Sequence, residues 1–133
     1  MSRANYTDDM DDGWAWIRWR GAVASAVNGR RGQALLRELL AALDAMPEKS
    51  LIADALTTPE GEMCALGVVG TARGVDLSDI DPDEPWEVSR ALDIAEALAQ
   101  EIAFENDDGG PYLEEPSHRW RRMRAWTERN ILT

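Results

Sequence analysis

Residues 75–108 read VDLSDIDPDEPWEVSRALDIAEALAQEIAFENDD, and how they are read decides the fold. Val88, Ala91, Leu92, Ala95, Leu98, Ala99, Ile102 and Ala103 recur at spacings of three and four, the period of an amphipathic helix. Ile94 and Phe104 widen the stripe. Asp83 or Glu84 is placed to cap this helix, and Pro85 suits its first turn, where a missing N–H costs nothing. Asn106-Asp107-Asp108-Gly109-Gly110-Pro111 ends it. The pattern therefore predicts one long helix, with two helices broken near Asp93 as the alternative. Glu105, Asp107 and Asp108 crowd its C-terminal end, against the helix dipole, and call for a basic neighbour or for solvent.

The same stretch carries the charge. Between Asp76 and Asp108 there are twelve acids and one base, Arg90, a segment charge of −11 that equals the net charge of the whole 133-residue chain. The remainder is neutral on balance. A sequence pI near 4.4 disfavours a nucleic-acid binder or an anionic membrane surface, both of which need a cationic face. It suits a basic partner.

Outward from this stretch the chain reads as mainly α. About four main helices form one compact domain, residues 13–133, with a small β-hairpin or irregular insert; an α+β fold is the alternative. Residues 1–12, with Asp8, Asp9, Asp11 and Asp12, read as a flexible acidic tail, and Asp11 or Asp12 could cap the first helix. That helix runs from about Gly13 to Asn28. Trp16, Trp19, Val23, Ala26 and Val27 form its stripe. Trp14 and Ile17 fall off the stripe, and Trp14 with Trp16 is the candidate exposed aromatic patch. Gly29 is expected to stop this helix in the left-handed region, and Arg30-Arg31-Gly32 to complete a short turn into an antiparallel second helix, Gln33 to Met46. Leu35, Leu36, Leu39, Leu40, Leu43 and Met46 share its inner face.

Leu51–Leu56 and Glu62–Leu66 flank a Pro59/Gly61 turn and read as a hairpin, with a helical turn at 51–56 as the alternative. Residues 67–74 predict a short helix ending at Gly74. The last helix, about Pro116 to Asn130, sets five arginines against one acid, Glu128. Trp120, Met123, Trp126 or Thr127, and Ile131 are its buried candidates. Its arginines are expected to face Glu96, Glu101 and Glu105.

Chemistry-bearing patterns are sparse. One histidine, His118, cannot build a multi-histidine zinc site. The single cysteine, Cys64, allows no internal disulfide and reads as a small buried apolar residue. Asp79-Ile80-Asp81-Pro82-Asp83 imitates the opening of a calcium loop, but Glu84 and Arg90 stand where that loop needs glycine and glutamate. Gly67, Gly70 and Gly74 lack the spacing of a phosphate-binding loop. No catalytic residue, cofactor or metal is assigned, and a non-enzymatic role is expected. No apolar run is long enough to cross a membrane.

The segments RGQALLRELLAALDAMPEK (Arg31 to Lys49), LIADAL with CALGVVGTARG, and IAEALAQEIAFEND resemble a group of small phage and prophage proteins of proteobacteria with no assigned activity. The resemblance implies a viral origin and action in the host cytoplasm, and it carries over no site residue. Together with the acidity it leads to two expectations. The first is an interaction protein that binds and inhibits a host factor, of the anti-CRISPR or anti-restriction type. Its acidic face, Asp76, Asp79, Asp81, Asp83, Glu84 and Glu87, would imitate nucleic acid toward a host protein with a basic nucleic-acid-binding surface. The alternative is a regulator that contacts nucleic acid through Arg119, Arg121, Arg122 and Arg124. A homodimer is compatible with either.

Overall fold

A computed structural model describes residues 3–4 and 13–133. Six helices follow one another: α1 (Gly13–Asn28), α2 (Arg30–Ala45), α3 (Ala65–Ala72), α4 (Pro85–Leu92), α5 (Glu96–Asp108) and α6 (Pro116–Asn130). Among the described residues there is no strand. The expected tail lies mostly outside these residues, as do Asp11 and Asp12, the candidate caps of α1. Within it, Arg3 and Ala4 are buried.

Two helices organise the rest. α2 packs against α1, α3 and α6, and α5 packs against α1, α3, α4 and α6. Leu35, Leu36, Leu39 and Leu43 of α2 are wholly buried, the face that their spacing predicts; Leu40 and Met46 are half-buried. Ile102, Leu98 and Ala99 of α5 belong to the same continuous core. The buried part of α6 is Met123, Trp126 and Thr127, with Arg119.

Several expectations change. The long helix is two: Asp93 takes left-handed dihedrals (φ 55°, ψ 51°) and caps α4, as the alternative reading had it. An aspartate tolerates that region better than most residues, and the turn lets Leu92 and Ile94 both reach the core. The turn between α1 and α2 is a single residue, because Arg30, Arg31 and Gly32 already belong to α2. Gly29 is extended rather than left-handed (φ −71°, ψ 166°). Gly32 makes this corner fit, since a Cβ there would stand 1.8 Å from the Ala26 carbonyl oxygen.

The hairpin is reduced to one antiparallel bridge, Thr57 to Met63, around a turn in which the Gly61 N–H donates to the Thr58 carbonyl at 2.9 Å. Low β-branched content gives the flanks little reason to extend. Cys64 draws the following residues into α3 instead, its Sγ accepting the Gly67 N–H at 3.4 Å as the N-cap.

Asn106 ties these pieces together from within. Fully buried, its Oδ1 accepts the Ala65 N–H at 3.1 Å, and its Nδ2 donates to the Ile52 carbonyl at 2.9 Å and to Asp107 at 2.8 Å. Its own carbonyl takes hydrogen bonds from Arg119 and Arg122. One side chain thus joins the 51–64 segment, α3 and α5, while its backbone holds α6.

Candidate interaction surface

The acidic loop is pegged down by its apolar residues. Gly74 turns the chain out of α3 with φ 77°. Leu77 is then buried, Ile80 and Pro82 are half-buried, and the residues between them point outward. Asp76 accepts the N–H and hydroxyl of Ser78 (3.0 and 2.7 Å), and Asp81 accepts the Asp83 N–H (2.9 Å). Each carboxylate closes its own turn. The bonds from Ser78 hold the Asp76 carboxyl below the usual carboxylate range. Glu84 is the N-terminal flanking residue of α4 but makes no cap with its side chain, which accepts the Trp86 indole N–H at 3.1 Å. Trp86 is 48% exposed, with the Arg90 guanidinium 5.9 Å from its ring centre.

Asp76, Asp79, Asp81, Asp83, Glu84 and Glu87 therefore lie along one loop and the first turn of α4. Asp76, Asp79, Asp81 and Asp83 are exposed, and Glu84 and Glu87 are half-buried. Among the described residues none of the six takes part in an ion pair.

The arginines of α6 are differently placed. Arg119 is buried, donating to the Asn106 and Leu51 carbonyls. Arg122 grips Glu114 with two bonds (2.8 and 2.9 Å) and reaches the Glu105 and Asn106 carbonyls. Arg124 pairs with Asp44 at 2.6 Å and Glu128 at 3.1 Å. Arg121 is exposed, so the four do not form one free basic face. The expected pairing with α5 holds at Glu105, 3.9 Å from Arg122. Glu101 is instead met by Arg20 of α1 at 3.2 Å, and Glu96 is exposed. Asp107 receives Arg3 (2.5 and 2.9 Å), the basic neighbour its position called for.

Trp14 (70%), Trp16 (50%) and Ile17 (60%) are exposed together on α1. Trp16 thus leaves the core stripe, and its ring lies 5.0 Å from that of half-buried Trp19. Cys64 is fully buried, and His118 sits on the surface 2.5 Å from Glu114. Among the described residues no group of three or more His, Cys, Asp or Glu side chains is arranged to hold a metal ion. No described helix is long and apolar enough to cross a membrane.

Sequence reasoning missed one conspicuous element, the loop between α5 and α6. Tyr112 is 92% exposed, and Leu113 is 83% exposed in left-handed geometry (φ 58°). The next residue, Glu114, has its side chain only 1% exposed, ringed by His118, Arg119 and Arg122. The bonds from Arg122 hold its carboxyl below the usual range. A polar Gly-Gly-Pro stretch signals a loop but not which side chains it presents.

The class so defined is a mainly helical protein, with six helices among its described residues and an acidic loop surface. No family model, curated protein or solved structure matches the chain.

Proposed function

We propose that this is a non-enzymatic interaction protein that binds and inhibits a host factor, of the anti-defence type, through the acids from Asp76 to Glu87. One observation carries the reading: these six acids lie together along one loop and helix turn with no ion pair among the described residues, while Glu38, Asp44, Asp93, Glu101, Glu105, Asp107, Glu114 and Glu128 are each paired with an arginine. A basic nucleic-acid-binding groove is the complementary surface, and half-exposed Trp86 among the carboxylates supplies an aromatic anchor of the kind found at binding hot spots. The phage resemblance and the acidity give the anti-defence direction.

The test is capture of bacterial proteins on the tagged chain, with and without nuclease. It is run beside a variant carrying Asn or Gln at Asp79, Asp81, Asp83, Glu84 and Glu87. A CRISPR or restriction component that survives nuclease, elutes in high salt and is lost with the variant supports the reading. Expression should then raise the plating efficiency of a phage that the defence restricts. Retention of nucleic acid alone would move the reading to a regulator using α6, for which exposed Arg121 and Arg129 are the available contacts.

A further inference from the structure

Two surface features lie at opposite ends of α5. At its N-terminal end is a cleft of about 320 Å³ between the α1–α2 corner and the α4–α5 turn. Its walls include Ala26, Ile94, Ala95 and Leu98, with Arg30 and Arg31. Arg30 is exposed and in no ion pair among the described residues, and Arg31 reaches exposed Asp93. Beyond the C-terminal end stands the Tyr112–Leu113 knob. Exposed Asp54 and Asp108 line the same hollow as the knob, and exposed Glu115 follows it.

The knob is held out at a cost to the fold. A leucine in the left-handed region is strained, and its side chain and that of Tyr112 gain almost no burial in return. The Glu114 anchor next to it is a carboxylate withdrawn from water and fixed by bonds from Arg122, which also clamps the last turn of α5. The two apolar residues are thus presented in a fixed geometry, which lowers the ordering cost of inserting them elsewhere.

We propose that the knob of one molecule inserts into the cleft of a second copy, so that the chain associates head to tail along α5. The complementarity is in both chemistry and charge. An aromatic and an aliphatic side chain flanked by acids meet an apolar hollow flanked by arginines. A molecule cannot satisfy this itself, because the thirteen residues of α5 hold knob and cleft about 20 Å apart. The α5 dipoles of successive copies add, positive end to negative end. Such a contact is heterologous, so it propagates into open chains or closes into rings rather than stopping at a two-fold dimer. The contact is small, so association is reversible and depends on concentration. It uses none of the six acids from Asp76 to Glu87, so it stands or falls apart from the proposed function.

The test is molar mass by light scattering across a concentration series. The protein is compared with a knob variant (Tyr112→Ser with Leu113→Gly) and a cleft variant (Ala95→Trp with Arg30→Glu). Circular dichroism verifies that both are folded, and all four positions are exposed or lie on the rim. The unaltered chain should grow in mass above 14.8 kDa with concentration and shrink with salt. Each variant alone should stay monomeric. An equimolar mixture should stop at two chains, because one intact knob and one intact cleft remain. A monomeric parent protein, growth that persists in either variant, or a mixture that does not pair would each overturn the proposal. If a variant fails to fold, a Tyr112-Leu113-containing peptide spanning 109–115 added in excess must reduce the mass of the parent assembly.

Discussion

Leu113 is the residue at which geometry and side chain disagree most. Its φ of 58° costs an L-residue about 1–2 kcal/mol, and glycine at the same place gives back about 0.5–1 kcal/mol in chain entropy. Leu113→Gly should therefore stabilise the protein by about 0.5–1 kcal/mol, measured by urea denaturation. Asn106 is the opposite case. Asn106→Ala leaves the buried Ala65 N–H and the Ile52 carbonyl without their partner, a loss of about 3 kcal/mol in the same experiment. Two glutamates set opposite pH responses. Burial, then the nearby Glu101 charge, raises the Glu105 carboxyl above the usual range. The native state therefore takes up that proton first, and Glu105 detracts from stability at neutral pH, a deficit relieved as pH falls through its raised pKa. Glu114 is depressed, so its contribution is present above the ordinary glutamate range and is lost as pH falls through its lowered pKa. Glu105→Gln should flatten the first limb of a melting-temperature profile, and Glu114→Gln the second. Glu114→Gln should also cost about 3 kcal/mol at neutral pH, because Arg119 and Arg122 lose their counter-ion.

Among the elements, the α1–α2 corner depends on a residue without a side chain. Gly32→Ala would force α1 and α2 apart, a loss of about 2–3 kcal/mol visible as a lower denaturation midpoint. The bounds of α1 and α6 were legible in the sequence, beginning and ending where the pattern places them, while α2 starts three residues before its pattern and ends one before it. The leucine face of α2 was equally plain. The α4–α5 break was visible only as an alternative, because Asp93 is compatible with helix in a string of letters and departs from it to satisfy packing. The 51–64 segment was read as a hairpin since apolar residues around a Pro/Gly turn suit either outcome; tertiary bonds from Asn106 decide it. The acidic loop was legible in full because charge needs no fold to be counted. Which arginines are already engaged was not, since their partners lie as far as 104 residues away, as Asp107 does from Arg3.

Over the whole molecule, charge is distributed unevenly. Thirteen bases and thirteen acids balance outside the segment from Asp76 to Asp108, and the surplus sits within it. Repulsion among closely spaced exposed carboxylates works against the compact state, and ions screen it over about 10 Å at 0.1 M salt. Added sodium chloride should therefore raise the melting temperature. The variant with Asp79, Asp81, Asp83, Glu84 and Glu87 neutralised should melt higher than the parent in low salt and respond less to the addition. A parent protein that melts lower in salt would show that its ion pairs outweigh this surface.

Trp86 stands where that surface is densest, its indole bonded to one carboxylate and flanked by others, while Trp14 and Trp16 share their helix with Arg18 and Arg20. The exposed indoles thus have different charged neighbours, Glu84 and the Arg90 guanidinium for Trp86, Arg18 and Arg20 along the helix for Trp14 and Trp16. A neutral dissolved quencher reaches both sets, so a partner that covers either face shields its share of the same emission. The protein carries its own optical label on each face.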